Sequence, residues 1–341
     1  MPIKVVTLGE IMLRLSPPGF ERIVQADSFD ITYGGGEANV AAGLCSYGLQ
    51  GTFVSKVPEN SLGQSAINHL RRYGVDTQFV ARGGNRLGIY FLENGVSMRA
   101  SQVIYDRSGS SFSEAKTDDF DFDKIFEEAV WFHTSGITPA LGDNAAKLTE
   151  AALKTARKKG IITSLDINYR KKLWSKEKAF AVLSNLWEYT DVCFGIEEFA
   201  TNNLRIQKTT DGLVKEEINI DAYNDMFEQM KNKFGFTCLA STIRKSYSAS
   251  DNGLSALVFD GSALYQTKEY DIRIVDRVGS GDAFISGLIY GMISRMKIND
   301  AAEFGIAASA LKHTIPGDMN HATLAEVTEL MNGDTSGRVQ R

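Results

Sequence analysis

Beyond about residue 122 the sequence alternates short apolar runs with longer segments of helical spacing, and this alternation limits the fold more than any other feature. The apolar runs predict strands at 130–134, 161–167, 191–194 and 237–240. The segments between them predict helices at 144–159, 176–189 and 221–234. Elements that alternate in this way build an α/β fold, with a mostly parallel central sheet and helices on both faces. Ligands bind beyond the carboxyl ends of such strands.

The first 107 residues predict a second, smaller sheet. The β-branched run at 3–8 suits a central strand of the main sheet. Other segments in this region alternate apolar and polar residues and are separated by proline or glycine. They predict lid strands at 11–15, 29–33, 88–93 and 100–105. We therefore expect a small antiparallel β lid, inserted at about 11–33 and 88–107.

Length alone allows about two domains, or one large α/β unit with an appendage. The sequence shows no internal repeat and no low-complexity segment. We expect one α/β domain over residues 1–331 that carries the lid. Residues 332–341 are polar and contain glycine, so we expect a disordered tail.

Composition favours a small-molecule ligand. The 341 residues carry a formal net charge of −5 and have a pI near 5.6, whereas a nucleic-acid surface would need a basic face. The apolar runs are too short to span a membrane, and the early strand leaves no room for a signal peptide. Cys45, Cys193 and Cys238 are odd in number and far apart, which indicates a reducing cytoplasm. The four histidines lack metal-ligand spacing, so we expect no bound transition metal.

The segment Asp276-Arg-Val-Gly-Ser-Gly-Asp282 lies between a β-branched run at 272–275 and a long apolar segment at 283–296. It predicts a strand, a tight turn and a helix from residue 283. Before it, Asp251-Asn-Gly253 is a turn signal and predicts an antiparallel hairpin that finishes the sheet. Free amides at a helix start favour an anion, and Gly279 and Gly281 would let a phosphate approach the backbone closely. Asp282 could cap the helix or accept a proton from a substrate hydroxyl. Taken alone, an aspartate at this position is more often a cap.

Two common phosphate-binding motifs are excluded. A dinucleotide fingerprint would need a third glycine where Phe284 stands, and a Walker loop would need Gly-Lys-Ser/Thr. The segment instead resembles the Gly-x-Gly-Asp signature of the ribokinase-like (PfkB) sugar kinases. That resemblance implies Asp282 as general base, and an anion hole formed at Gly279, Ser280 and Gly281 for the nucleotide phosphates.

A second signature of the same family lies near the N-terminus. Three consecutive glycines before a helix indicate a hinge or a close approach of backbone to ligand. The pattern Gly34-Gly35-Gly36 followed by Asn39 is similar to the family loop that grips sugar hydroxyls. The resemblance spans residues 3–331, with the two signatures in the family's order.

Other residue patterns in this sequence resemble motifs of one branch of the family, the kinases that phosphorylate 2-keto-3-deoxygluconate. Asp166-x-Asn168-x-Arg170 ends a predicted strand, and the resemblance places Asn168 at the nucleotide phosphates and Arg170 at the substrate. The other matching residues carry roles implied in the same way: Tyr90, Tyr105, Arg107 and Asp318 at the substrate, and Thr242 and Arg244 in the nucleotide loop. Each of these could otherwise be an ordinary polar residue at a strand end or turn.

One family motif is incomplete. The family carries Asn-x-x-Glu in a magnesium and phosphate network, but the segment 193–198 here lacks the asparagine. Glu198 is the remaining candidate from that motif, and Mg²⁺ would be held mainly by the nucleotide.

The resemblance implies ATP-dependent phosphorylation of 2-keto-3-deoxygluconate on its primary hydroxyl, with ATP and Mg²⁺ as cofactors. Two alternatives stay open: a kinase for a neutral sugar such as fructose or ribose, and a non-catalytic protein that binds sugar acids on the same fold. The lid strands carry isoleucine and phenylalanine on an outer face, so we also expect a homo-oligomer.

Overall fold

The computed structural model describes residues 2–196 and 219–334. Glu198 and the end of the expected tail, 335–341, lie outside the described residues. None of the helices in the two described ranges is both long and apolar enough to cross a membrane. The division into one domain and a tail stays a prediction.

Ten strands form the main sheet. In chain order they are β1 (Lys4–Leu8), β4 (Gln50–Val57), β5 (Val80–Arg82), β8 (Ala129–Ser135), β9 (Ile162–Asp166), β10 (Val192–Phe194), β11 (Cys238–Ser246), β12 (Asp251–Phe259), β13 (Leu264–Gln266) and β14 (Tyr270–Arg273). Their order is β13-β12-β11-β10-β9-β8-β1-β4-β5, and β14 also pairs with β12. Strands from β11 to β5 pair in parallel, whereas β12 pairs antiparallel with β11, β13 and β14. The mostly parallel sheet is confirmed.

Four strands form a separate small sheet, the lid, in the order β3-β2-β6-β7. They are β2 (Met12–Ser16), β3 (Asp30–Gly34), β6 (Gly88–Glu93) and β7 (Gln102–Asp106). The outer pairs, β2 with β3 and β6 with β7, are antiparallel as expected, and β2 and β6 run parallel in the centre. Residues directly opposite on paired strands share a face. Arg14, Tyr90 and Tyr105 therefore lie on one face of the lid.

Helices pack on both faces of the main sheet. They are α1 (Gly36–Ser46), α2 (Ser61–Arg72), α3 (Phe122–Ile125), α4 (Ile137–Ala140), α5 (Asp143–Lys158), α6 (Lys176–Trp187), α7 (Ile220–Phe234), α8 (Ser280–Ile293), α9 (Ile298–Lys312) and α10 (Leu324–Met331). Neighbouring residues of one strand point to opposite faces of the sheet and pack in different hydrophobic cores. Val6 packs in the core that contains α5, α6 and α7, and Val5 packs in the core that contains α8 and α9. This alternation is the side-chain period of two that a sheet covered on both faces requires.

Two local predictions are wrong. We expected Asp251 to Gly253 to form the turn of a hairpin, but these residues begin β12, and the connection from β11 is made by 247–250. We also expected the helix after the glycine-rich turn to begin at residue 283, but α8 begins at Ser280. In both cases the structure continues its regular hydrogen bonding through residues whose own propensity favours a turn.

Candidate active site

A cleft of about 480 Å³ lies between the lid and the carboxyl ends of the main-sheet strands. It brings together most of the residues that the sequence predicted from distant parts of the chain. Those that line it are Gly35, Gly36, Asn39, Tyr90, Tyr105, Arg107, Asn168, Arg170, Gly279, Ser280, Gly281, Asp282 and Asp318. Gly34, Thr242 and Arg244 do not line it.

The turn at 276–279, which we call the anion-binding turn because the sequence predicts an anion there, depends on Gly279. This residue has φ +83°, in the left-handed region that favours glycine. A Cβ there would also overlap the main-chain carbonyl of Asp318. The amides of Gly281 and Asp282 lie in the first turn of α8, where a helix supplies no carbonyl partner. A Cβ on Gly281 would meet no protein atom within 4 Å. The turn therefore offers free N–H groups and open space, which suit a phosphate.

Asp282 is the third residue of α8, and no side chain caps that helix. Its Oδ2 accepts a 2.7 Å hydrogen bond from Asn39 Nδ2, while Gly35 N donates to Asn39 Oδ1 at 3.4 Å. Asn39 thus holds the expected general base from the start of α1. A Cβ on Gly36 would come within 3.5 Å of Asp282 Oδ1, so the glycine keeps one side of this carboxylate open. The Asp282 side chain therefore lines the cleft and does not cap α8. Its role as general base stays a prediction.

Two further carboxylates lie near Asp282, and the sequence had assigned neither to the site. Asp166 ends β9, and Glu37 lies in the first turn of α1. Glu37 is fully enclosed and accepts hydrogen bonds from Ser135 N and Thr138 Oγ1, both at 3.0 Å. Burial raises the pKa of Glu37.

The two aspartates reach the cleft with only part of their surface, because protein surrounds them on the other sides. Desolvation raises the pKa of Asp282 to about 7, against the opposing hydrogen bond from Asn39. Desolvation, and then the charge of Asp282, raise the pKa of Asp166 to about 7. A carboxyl group whose pKa lies near neutrality is suited to proton transfer.

The lid supplies Tyr90 and Tyr105, whose ring centroids lie 6.0 Å apart. The Tyr90 hydroxyl donates to Asp318 Oδ2. Arg107 is buried beside Tyr105 and is paired with Glu10, which follows β1 and accepts from Arg107 Nε at 2.8 Å. The charge of Arg107 is therefore largely neutralised before any ligand binds.

Arg170 differs from Arg107. It is exposed at the cleft, and its Nη1 donates to the carbonyl of Tyr169 at 3.2 Å. Within residues 2–196 and 219–334 it forms no ion pair closer than 4 Å. The turn that carries it is unusual, since Asn168 has φ +39° and its amide donates to Asp166 Oδ1 at 3.1 Å. Asparagine tolerates this left-handed conformation better than most residues.

A buried ion network was missed by the sequence analysis. Arg14 on β2 donates to Asp318 Oδ1 at 2.8 Å and to Asp276 Oδ2 at 2.6 Å. Asp276 also accepts from the amides of Val278 and Gly317. Arg14 shares a lid face with Tyr90, and this strand alternation was the available signal. Glu10 could have been found by the rule that ligand groups follow strand ends.

The three predicted residues outside the cleft have other surroundings. A Cβ on Gly34 would overlap the Asp318 carboxylate, which gives this glycine a packing reason. Thr242 is half-buried in β11. Arg244 Nη2 donates to Ser280 Oγ at 3.2 Å, so it reaches the anion-binding turn from behind. The ligand contacts expected of all three stay predictions.

No group of three or more His, Cys, Asp or Glu side chains is placed to hold a metal ion in the part of the chain that the structure describes. Glu198 falls outside it. That Mg²⁺ is held mainly by the nucleotide stays a prediction.

Two curated proteins are similar to this chain in sequence. A 2-dehydro-3-deoxygalactonokinase of Haloferax volcanii is 33% identical over 337 residues, which cover 99% of both chains. A 2-dehydro-3-deoxygluconokinase of Bacillus subtilis is 29% identical over 324 residues, which cover 94% of this chain and 92% of the relative.

Solved structures give the same result. The crystal structure of 2-dehydro-3-deoxygluconokinase from Thermotoga maritima superposes with a TM-score of 0.92 at 49% identity, covering 98% of this chain and 99% of the other. The ribokinase-like fold is thereby confirmed. The family model described as pfkB family carbohydrate kinase matches residues 2–233 and 251–323. This chain belongs to the pfkB family of carbohydrate kinases.

Proposed function

We propose that the protein phosphorylates 2-keto-3-deoxygluconate, also named 2-dehydro-3-deoxygluconate, on its primary hydroxyl with ATP as donor. The observation that carries this proposal is the convergence of three groups on one cleft. These are the Asp282 carboxylate, the free amides at the start of α8, and the guanidinium of Arg170, which forms no ion pair among the described residues. They supply a base, a phosphate site and a recognition group for an acid.

The reaction needs one proton transfer and one phosphoryl transfer. Asp282 accepts the proton of the sugar hydroxyl as that oxygen forms a bond to the γ-phosphorus of ATP. The bond from the γ-phosphorus to the bridging oxygen breaks, and ADP leaves. The proton then passes from Asp282 to solvent. Asn39 holds the carboxylate at 2.7 Å, so the base is oriented before substrate binds.

Charge on the transferring group would be stabilised by the amides of Gly281 and Asp282, which point to the open space over the turn. Sugar kinases of this family use ATP. Mg²⁺ bound to the nucleotide would neutralise part of the phosphate charge when present. The lid would exclude water, since an activated γ-phosphate could otherwise be hydrolysed.

The acid function of the substrate is assigned to Arg170. Arg107 already has Glu10 as its partner, whereas Arg170 has no bonded carboxylate in the part of the chain that the structure describes. Guanidinium groups bind carboxylates in a planar, often bidentate geometry. Arg107 can still donate through Nη1, which makes it suited to a hydroxyl or keto oxygen.

A second candidate is the epimeric substrate 2-keto-3-deoxygalactonate, because the Haloferax volcanii relative is named for it. Release of ADP by purified protein should be measured with both sugar acids, fructose and ribose. Comparable kcat/KM for fructose or ribose would replace the proposal with a neutral-sugar kinase. Absence of ADP release with every sugar would favour a non-catalytic binding protein.

We also propose a homo-oligomer in a reducing cytoplasm. Cys45 and Cys238 carry free thiols, which supports a reducing compartment. The outer face of the lid carries a row of apolar residues across all four strands, Ile31, Leu15, Phe91 and Ile104. Ile31 and Ile104 at its ends are exposed. A second copy would cover this row.

A further inference from the structure

Arg277 lies in the turn between β14 and α8, two residues before Gly279, and lines the cleft. Neither the sequence motifs nor the family resemblance gave this residue a role. It is half-buried, and its Nη2 donates to the carbonyl of Ala249 at 3.0 Å. In the described ranges, 2–196 and 219–334, its guanidinium makes this bond and forms no ion pair. Its remaining N–H groups are available to a ligand in the cleft.

The surroundings of Arg277 call for a negatively charged ligand. Arg244 approaches the same turn from the other side and bonds to Ser280 Oγ. Although part of the Arg244 side chain is exposed, its guanidinium is packed against Ser280 and His313. Burial, and then the positive charge of Arg277, lower the pKa of Arg244 to about 10. Two guanidinium groups thus flank the helix start with no carboxylate bonded to either in the described structure.

The charge balance of the cleft leads to the same requirement. Glu37, Asp166 and Asp282 line it with no arginine bonded to them among the described residues, so each of them would repel the phosphates of a nucleotide whenever it is ionised. Glu10 and Asp318 are neutralised by Arg107 and Arg14, which leaves those arginines unable to compensate. On the α8 side of the cleft, Arg277 is the guanidinium that lines the wall beside the free amides. Arg277 and Gly281 line the same cleft, so a phosphoryl group bound at the free amides would share that cleft with the Arg277 guanidinium.

We propose that Arg277 is a catalytic residue that contacts the phosphoryl group as it passes from nucleotide to sugar. The inference rests on the proposed function. As the bond to the bridging oxygen of ADP breaks and the bond to the sugar oxygen forms, the three outer oxygens of the phosphoryl group need donors. The Arg277 guanidinium supplies charge-assisted donors from within the chain, and the proton still goes to Asp282.

The same contacts show how Arg277 is held for this task. The carbonyl of Ala249 fixes one end of the guanidinium, and the amide of Ala249 donates to Ser97 O at 2.7 Å. Ser97 lies in the connection between lid strands β6 and β7, and its own amide donates to Ser250 Oγ at 2.9 Å. The loop that orients Arg277 is therefore bonded directly to the lid. Lid position and Arg277 orientation are linked through Ala249.

The test compares Arg277→Met and Arg277→Lys with wild type, using whichever sugar wild type phosphorylates fastest. Arg273→Met is the matched control, because Arg273 is an exposed arginine on β14 outside the cleft. We expect Arg277→Met to lower kcat on the order of 10²-fold, the usual effect of losing one transition-state donor. Arg277→Lys should recover part of that loss. The kcat of Arg273→Met should stay within threefold of wild type, which corresponds to a change of about 0.65 kcal/mol in activation free energy.

Binding measurements separate catalysis from simple nucleotide anchoring. Affinity for MgADP alone should change less than threefold in Arg277→Met, roughly the change expected from a substitution that removes no contact with the nucleotide. Affinity for MgADP with aluminium fluoride, an analogue of the transferring group, should fall by a factor similar to the fall in kcat. An equal loss of affinity for MgADP alone, or an unchanged kcat, would overturn the proposal. The fluoride titration needs no turnover, so it tests Arg277 even if the proposed sugar substrate is wrong.

Discussion

Arg14 and Asp318 form a buried ion pair, 2.8 Å between Nη1 and Oδ1, that joins lid strand β2 to the loop after α9. The other end of the same guanidinium bonds to Asp276, 2.6 Å away, at the start of the anion-binding turn. Asp318 in turn accepts from the Tyr90 hydroxyl on β6. One arginine therefore connects the lid, the anion-binding turn and the loop after α9. This fixes where Tyr90 and Gly279 lie relative to each other.

Arg14→Met should destabilise the protein by about 3–5 kcal/mol, because removing one partner of a buried network leaves uncompensated charge on Asp276 and Asp318. Urea unfolding gives the free energy of unfolding. Arg22→Met is the matched control, since Arg22 is an exposed lid arginine whose Nε lies 3.4 Å from Glu93. It should change stability by less than about 1 kcal/mol. Equal effects of the two substitutions would show that the Arg14 network contributes little.

Asp282→Asn should fold normally and lose roughly 10²–10⁴-fold in kcat, the usual contribution of a positioned general base. Asparagine keeps the shape of the side chain but cannot accept the sugar proton. The control is Asp300→Asn, which changes an aspartate in the first turn of α9. Turnover should be measured at saturating sugar and ATP. If Asp282→Asn stayed within a few-fold of wild type, Asp282 would not be the base.

Activity should fall as the pH drops below about 7, because a base must be deprotonated and the pKa of Asp282 is raised to about 7. Asp166 titrates in the same range, so the acidic limb of a plot of kcat/KM against pH reports the pair. The measurement is initial rate from pH 5.5 to 8.5. A rate that stays flat down to pH 5.5 would show that the carboxylates titrate in their ordinary range, near pH 4.

The same shifts make a prediction for stability. Folded Asp282 binds its proton more tightly than it would in the unfolded chain, where the ordinary value is 3.8. Its contribution to stability is therefore present below pH 4 and is lost as the pH rises through about 7. Asp282→Asn removes this loss, so the variant should have a higher Tm than wild type at pH 8, with a smaller difference at pH 5. A Tm difference independent of pH would contradict the shifted pKa.

The sequence predicted the α/β fold because strands and helices with strong periodicity leave a local signal in the sequence. The run at 3–8 and the helix before Gly160 were placed within about two residues of β1 and α5. Predictions failed where long-range pairing decides: β12 draws Asp251 and Gly253 into a strand because β11 and β14 both pair with it. Propensity alone cannot detect such pairing.

The site was predicted in the same uneven way. Motif positions such as Asn39 and Asp282 were found, but their mutual hydrogen bond spans 243 positions in the chain and has no local signal. Arg14 and Arg107 show the limit more sharply. Both are arginines on or beside lid strands. Only the fold shows that Arg107 is paired with Glu10, and that Arg14 is paired with Asp276 and Asp318.

The apolar row on the outer lid face should hold two copies together. Ile31→Lys combined with Ile104→Lys places charges on exposed residues of that row, which are 65% and 51% exposed in the single chain. We expect light scattering to show an oligomer for wild type and a monomer for the double variant at micromolar concentration. Val24→Lys, another exposed position near the lid, should leave the oligomer intact. A monomeric wild type would remove the proposal.

Arg170 and Arg107 should respond differently to substitution by lysine, because only Arg107 already has a bonded carboxylate. Arg170→Lys should raise KM for the sugar acid roughly ten-fold or more, since a charged hydrogen bond in a closed site contributes about 1.5–3 kcal/mol. Arg107→Lys should also raise this KM, and in addition lower stability, because lysine cannot reproduce its two bonds to Glu10.

KM for ATP should change more for Arg170, which lies two residues from Asn168, than for Arg107. Arg86→Lys is the control, a partly exposed arginine just before β6 that is paired with Asp106. The decisive measurement is the ratio of kcat/KM for 2-keto-3-deoxygluconate to that for fructose. An unchanged ratio in Arg170→Lys would show that Arg170 does not recognise the carboxylate of the substrate.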